Sequence, residues 1–474
     1  MRRDALQFMT ALNGSALMQE FPLRHAFLDY ARQVSRDEIR HRQDIMFRRC
    51  VGRAWAIPFY QRLWGEQGIE PGDVRSIDDL PKLPVFDKSD LMASIERAPP
   101  FGDFHGQDTY PADERPPVII HTTSGTTGNP QIVPYGPRGR EVQNLMLARG
   151  YLLHGMADHD VVHSVYGHGL INGGHYIREA VTHWTGATLI PAGTGAETRS
   201  VRQVELIRDF GATILVGFAD YIKRLAAVAR ESGILPERDL KVRMICGHIG
   251  REDRGVLSKA WGNCEVYDWY GVADTGLIAS EGPDHDGLYV MEDAHFVEVA
   301  DVETHAPVAL GEVGDIIVTV LFKDDIYPMI RFNTHDVTRW RPGASSIGLG
   351  LKRIEGFLGR SDNMVKLRGI NVFPSAIGSM FPNAGELTGE FICRAERDEQ
   401  GRDDLVIVVE TTGDPASAAL TEAIRASVRQ KLGIDVVVEL QPAGALAAVT
   451  QVESRQKPIR LLDLRNTDSR ERKA

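Results

Sequence analysis

Short apolar runs separated by helix-length segments recur from about residue 118 to 272, and they constrain the fold of this chain more than any other feature. They fall at 161–166, 187–191, 212–216, 242–246 and 265–270, with Val118-Ile119-Ile120 ahead of them as a further buried strand. Runs this short match strands rather than helices. The connections are long enough for crossover helices, so the pattern predicts an α/β fold with a large, doubly wound, largely parallel sheet. Ligands of such sheets sit beyond the carboxyl ends of the strands. The loops that matter are therefore 124–130, 166–175, 217–221, 246–250 and 270–276.

The first of these loops is the most specific. Thr123-Ser124-Gly125-Thr126-Thr127-Gly128-Asn129-Pro130 follows the apolar run at 118–120, and Val142, Leu145, Met146 and Leu152 beyond it recur at helical spacing. Strand, small hydroxylated loop, helix is a recurring way to hold phosphate: glycines admit close backbone approach, and N–H and hydroxyl groups point at oxygen. The loop has neither the GxxxxGK[ST] spacing of a P-loop nor the GxGxxG of a dinucleotide fold.

On either side of the alternating region the character changes. Residues 1 to about 110 read as a helical and irregular scaffold. Residues 288–341 read as a smaller β subdomain, with half-exposed strands at 315–320 and 329–332. A polar hinge and a tight basic hairpin follow at 357–375, then a small α+β domain with a helix over 415–433. The charged tail 466–474 reads as frayed. The domain division expected is 1–361 and 362–474.

Several motifs in order give this chain a strong resemblance to the adenylate-forming superfamily, and most of all to its phenylacetate–CoA ligase branch. They are the 123–128 loop, Tyr166-Gly167-His168-Gly169-Leu170 with Gly173-Gly174, Ile190-Pro191-Ala192-Gly193 and Tyr267-Asp268-Trp269-Tyr270-Gly271. Arg331-Phe332-Asn333-Thr334-His335-Asp336 and Gly359-Arg360-Ser361-Asp362-Asn363-Met364 complete the set. The resemblance spans nearly the whole chain. It implies a large adenylating domain and a small mobile C-terminal domain that turns between half-reactions. It also implies the chemistry: a carboxylate attacks the α-phosphate of Mg·ATP, and the thiol of coenzyme A then displaces AMP. A carboxylate is a poor electrophile, and AMP leaves better than oxide does.

The same resemblance assigns roles residue by residue. Thr123, Ser124, Gly125, Thr126, Thr127 and Gly128 would hold the β- and γ-phosphates. Cys246, Gly247, Tyr267, Asp268, Tyr270 and Gly271 fall in the nucleotide-binding motifs. Asp336 and Arg360 would meet the ribose, a hydroxyl-binding role that an acceptor-only carboxylate fills well. Asp274 would bind Mg2+ through hard oxygen. Lys457 would stabilise the α-phosphate in adenylation as a mobile point charge. Asp362 would be the hinge, and Gly369 would line the pantetheine channel. Tyr166, Gly167, Ile171, Gly217, Phe218, Tyr270 and Gly271 would wall an acyl pocket suited to an aromatic acid. His168 and His175 bracket that loop.

Some positions depart from the family pattern. Asn129 stands where a lysine is usual, and Ala273-Asp274 replace a Ser/Thr-Glu pair. Ser280-Glu281-Gly282 carries none of the zinc-binding cysteines of some relatives. A zinc site from Cys246, His248 and Cys264 matches no standard spacing. These departures leave two other readings open: adenylation with a different acceptor (an amine, a carrier-protein thiol or a cofactor hydroxyl), or a nucleotide binder with weakened catalysis.

Composition fits the leading reading. With 474 residues, 43% of them apolar, the chain can bury a large core and more than one domain. A net charge of −11 argues against a nucleic-acid partner spread over the surface. Four dispersed cysteines make a disulfide framework unexpected. No apolar run approaches 18 residues, and the N-terminus lacks a signal-like segment, so the expectation is a soluble cytoplasmic protein without a membrane partner. The family resemblance adds a possible homodimer.

Overall fold

The computed structural model describes residues 8–9, 12–123, 131–250, 253–362, 365–367, 370–382, 384–397, 403–451 and 458–465. The Ser/Thr-rich loop emerges from a β-hairpin. Its arms, β1 (Ile119–Thr122) and β2 (Ile132–Tyr135), pair antiparallel with Thr122 opposite Ile132. The expected order of strand, loop and helix is corrected here. A second strand intervenes, and the helix Pro137–Leu153 starts only where Pro137 supplies a first-turn residue with no N–H to satisfy. β1 is half-buried rather than buried, because it lies outside the main sheet.

The main sheet follows the expected alternation. β3 (Val161–Ser164), β4 (Thr188–Pro191), β5 (Ile214–Phe218), β6 (Met244–His248) and β7 (Glu265–Val272) run parallel in the order β4-β3-β5-β6-β7. The sheet then continues antiparallel through β8 (Gly276–Glu281) and β9 (Leu288–Val290). β10 (His295–Ala300), β11 (Gly314–Val320) and β12 (Met329–Thr338) form a separate antiparallel sheet. β13 (Trp340–Arg341) and β14 (Arg353–Ile354) return to the edge of the large sheet beside β9, and β15 (Gly359–Arg360) joins the smaller sheet beside β12. The subdomain expected over 288–341 is thus shared between two sheets. β11 and most of β12 are buried on both faces, not half-exposed.

The helix Pro137–Leu153 is buried almost along its whole length although it carries charges. Each buried charge has a partner, as burial requires. Arg149 makes a two-bond pair with Asp293 at 2.8 and 2.9 Å, and Arg140 donates to Glu179 at 2.6 Å. The N-terminal helices share this core: Phe27, Ile39, Phe47 and Cys50 pack in one cluster with Leu145, Trp269 and Leu277. The longest of them, Arg36–Ala54, starts at a capping box between Ser35 and Glu38.

Beyond Asp362, β16 (Val365–Leu367) and β17 (Ile370–Val372) form the expected hairpin. β18 (Leu387–Arg397), β19 (Asp403–Thr411), β20 (Val437–Pro442) and β21 (Leu461–Asp463) make a four-stranded sheet ordered β20-β19-β18-β21. The helix Ala418–Leu432 lies with it, capped by Ser417 and ended by Gly433 in the left-handed region. This part has its own core, which includes Val365, Phe391, Ile407, Ile424 and Leu440. The tail at 466–474 lies outside the described residues. No helix among the described residues is long and apolar enough to cross a membrane.

Candidate active site

The two sheets meet at Asp336, on β12 of the smaller one. The β12–β15 register sets Arg360 directly opposite it, and Arg360 donates to Asp336 Oδ1 at 2.9 Å. From β7 in the large sheet, the Tyr270 hydroxyl donates to Asp336 Oδ2 at 2.9 Å and lies 3.1 Å from the Thr334 hydroxyl. Asp336 is 3% exposed. Each of its oxygens holds one donor and keeps a lone pair for another. Asp336 lifts the Tyr270 phenol in addition to the larger effect of burial. Arg360 also binds the exposed Asp362, 2.8 Å from Nε; burial lowers the guanidinium, but these carboxylates outweigh it and raise it. The expected ribose residues and the expected hinge residue are therefore one connected group.

His335, beside Asp336, has backbone φ of +56°. Its Nε2 lies 2.8 Å from Asp87, its Nδ1 3.6 Å from Asp315 and 3.3 Å from the Ser361 hydroxyl. Hydrogen bonding to Asp315 and Asp87 lifts its pKa to about 9. Asp87 also caps the helix Lys88–Arg97, so one carboxylate ties a scaffold helix to the strand that bears Asp336.

The second group surrounds Asp274. This residue is 4% exposed, and its Oδ1 accepts from Gln131 Nε2 at 2.7 Å and from the Tyr327 hydroxyl at 2.9 Å. The Lys323 ammonium donates to its main-chain carbonyl. The Tyr135 hydroxyl donates to the carbonyl of Ala273 at 2.5 Å. Burial raises the Asp274 carboxyl, although Lys323 pulls the other way, and burial lowers Lys323 to about 8. Among the described residues, Oδ2 takes no side-chain hydrogen bond and no group of three metal-ligating side chains exists. One hard carboxylate oxygen suits Mg2+ that draws its remaining ligands from phosphate and water. The donor set fits on those terms.

Thr123 marks the neck of the β1–β2 hairpin. Its N–H donates to the Gln131 carbonyl at 2.9 Å, and its buried hydroxyl has no hydrogen-bond partner among the described residues. Ser124, Gly125, Thr126, Thr127, Gly128 and Asn129 lie outside the described residues, as do Lys457 and Gly369.

The third group forms at the carboxyl ends of β5, β6 and β7. Tyr166 meets Phe218 edge-on with ring centroids 5.0 Å apart. Phe218 stacks on His248 at 5.2 Å, and His248 lies 4.1 Å from Trp269. His248 Nδ1 lies 3.1 Å from the Trp269 carbonyl, so it carries the proton. Gly217 and Gly247 are cross-strand partners, and a Cβ on Gly247 would drive into the Gly217 carbonyl oxygen. Gly271 is closed in by the Gly276 carbonyl in the same way. Gly167 accepts a backbone bond from Gly174 at 2.9 Å. Ile171 stands further off: it precedes the helix Asn172–Trp184 and bridges to Thr122, linking the 166–175 loop to the β1–β2 hairpin. His168 and His175 pack edge-on at 5.3 Å in that loop.

The other nucleotide candidates divide. The Asp268 carboxylate accepts from the N–H groups of Ile249 and Gly250 at 2.9 and 3.2 Å and so shapes the 246–250 loop; burial lifts it to about 7. Tyr267 does not join the Asp336 group. Its ring stacks between His154 and His285 at 4.8 and 4.7 Å, because alternate β7 side chains point to opposite faces. Cys246 is fully buried against His154, 3.4 Å from Nδ1. Cys246 and Cys264 lie in different core clusters, and His248 turns to Phe218 and Trp269, so these three side chains do not converge.

Sequence reading missed Gln131, Tyr135, Lys323 and Tyr327 around Asp274, and His248 and Trp269 in the aromatic wall. Lys323 did leave a signal, a lysine directly after the apolar run 316–322.

A family model for the AMP-binding enzyme matches residues 67–319, and one for the AMP-binding enzyme C-terminal domain matches residues 369–465. A phenylacetate-coenzyme A ligase of Pseudomonas putida is 33% identical over 364 residues, 74% of this chain and 77% of that protein. The crystal structure of a 2-hydroxyisobutyryl-CoA ligase in the postadenylation state with R3-HIB-AMP is similar at a TM-score of 0.80. It is 25% identical and covers 94% of each chain. That ligase in the thioesterification state with 2-HIB-AMP and CoA gives 0.64 at 27% identity, covering 92% of this chain and 91% of its own.

Proposed function

The chain belongs to the AMP-binding enzyme family, and on that premise we propose that it is an acid–thiol ligase. It activates a carboxylic acid as an acyl-adenylate with ATP and passes the acyl group to coenzyme A, releasing pyrophosphate and AMP. One observation carries this reading: Asp336, held by Arg360 and Tyr270, offers two half-engaged carboxylate oxygens where the two sheets meet. Ribose hydroxyls are donors that match those acceptors.

Around that anchor we assign the roles that the family resemblance implies. The hairpin residues Thr123 to Gly128 cradle the phosphates, and the Thr123 hydroxyl gains the partner it lacks. The 246–250 loop, fixed by Asp268, meets the base. Asp274 is the protein ligand for Mg2+, which, when bound, offsets charge on the phosphates. Lys457 supplies a donor to the α-phosphate during adenylation. The aromatic wall of Tyr166, Phe218, His248 and Trp269 takes the ring of an aryl or arylacetic acid.

The part from 362 onward turns about Asp362 to bring Gly369 to the thiol channel. The higher similarity to the postadenylation form than to the thioesterification form supports assigning the present arrangement to the first half-reaction. A homodimer in the cytoplasm completes the proposal, and sedimentation of the purified chain tests the dimer.

Pyrophosphate release with a panel of aryl acids, with and without coenzyme A, tests the reaction. Release that needs the acid, and thioester that needs coenzyme A, is expected. ATP binding without release for any acid would overturn the catalytic reading.

A further inference from the structure

We propose that Gln131 is a positioning residue that couples the phosphate hairpin to the Asp274 carboxylate; the inference rests on reading Asp274 as the magnesium ligand. Gln131 directly follows the 124–130 loop and works at both ends of its own structure. Its main-chain carbonyl closes the neck of the hairpin by accepting from Thr123 N–H at 2.9 Å. Its side-chain amide donates to Asp274 Oδ1 at 2.7 Å. The Tyr327 hydroxyl donates to the same oxygen at 2.9 Å.

With two donors on Oδ1, the carboxylate cannot rotate without stripping a buried hydrogen bond, and Oδ2 is the oxygen left for a cation. Gln131, Tyr327 and Lys323 are each 1–2% exposed, so water cannot replace a lost donor cheaply. The main chain is held as well, by Lys323 at the Asp274 carbonyl and by Tyr135 at the Ala273 carbonyl. An aspartate is one methylene shorter than the glutamate of the family pattern. Here four hydrogen-bonding groups fix how far it reaches.

One residue thus touches both the neck of the hairpin and the carboxylate. Phosphate binding and cation binding are then coupled, and the coupling is reciprocal.

The test measures the Mg2+ concentration for half-maximal adenylation, and ATP binding by calorimetry with and without Mg2+, on the full chain. Gln131→Leu is expected to raise the Mg2+ requirement about tenfold or more, the usual effect of losing a partner behind a metal ligand. It should also shrink the tightening of ATP that Mg2+ gives, while thioester formation from supplied acyl-adenylate is unchanged. Gln131→Asn and Asp274→Glu should each impair Mg2+ use, and the double variant, which restores the summed side-chain length, should recover part of it. An unchanged Mg2+ requirement in Gln131→Leu, with a raised one in Asp274→Ala, would overturn the positioning role and leave the Asp274 reading intact. No change in Asp274→Ala would overturn that reading itself. Equal loss of both half-reactions in Gln131→Leu at an unaltered Mg2+ requirement would make Gln131 merely structural and overturn the inference.

Discussion

At the scale of single residues, charge pairs carry the account. Asp336 accepts from Arg360, and a charge-assisted bond from a ribose hydroxyl is worth about 1–3 kcal/mol. Asp336→Asn should raise the ATP KM accordingly with the acid KM unchanged; an unaltered ATP KM removes Asp336 from the ribose site. His335 makes a pH prediction. Its pKa rises from 6.5 to about 9 on folding, so the folded chain keeps a proton that the unfolded chain gives up. The stabilisation is complete below pH 6.5 and disappears as pH climbs through 9. Urea unfolding of wild type and His335→Gln should therefore differ by about 1–3 kcal/mol at pH 6 and converge near pH 10. A difference that grows with pH would refute the pairing. Asp336, Arg360 and Asp274 were recognisable in the sequence as candidates, by type and motif. Their partners were not, because Tyr327 and Lys323 meet Asp274 only through a chain reversal some 50 positions away, which no local pattern encodes.

At the scale of elements, the strand ends are packed through glycine. Gly247 faces Gly217 across β5 and β6 with no room for a methyl group between them. Gly247→Ala should cost about 1–3 kcal/mol or more, read from the urea midpoint, since backbone cannot yield as a flexible side chain does. An unchanged midpoint would mean that β6 can shift. The parallel strands were legible because their apolar runs have strand length. The hairpin arm β2 was not: Ile132-Val133-Pro134-Tyr135 holds a proline and runs into a helix start. The buried state of β11 was also hidden, because alternation at 315–320 reads as one exposed face until a second layer covers it.

At the scale of the whole molecule, two separate cores lie on either side of Asp362, and the proposed turn about it would let one chain present two arrangements in turn. In the present one, Arg460 of the C-terminal part lies 3.6 Å from Asp220, at the start of the helix Ala219–Glu231. Asp220→Arg sets like charges against each other in this arrangement alone. Adenylation should slow several-fold, and thioester formation from supplied acyl-adenylate should persist; equal slowing of both would deny that the contact belongs to the first step. The chemistry itself is tested most directly by turnover of a carboxylate labelled with oxygen-18, followed by mass spectrometry of the nucleotide. If the acid attacks the α-phosphate, one labelled oxygen appears in AMP when the thioester forms. Unlabelled AMP, or label in inorganic phosphate with ADP as the nucleotide product, would contradict adenylation at this site.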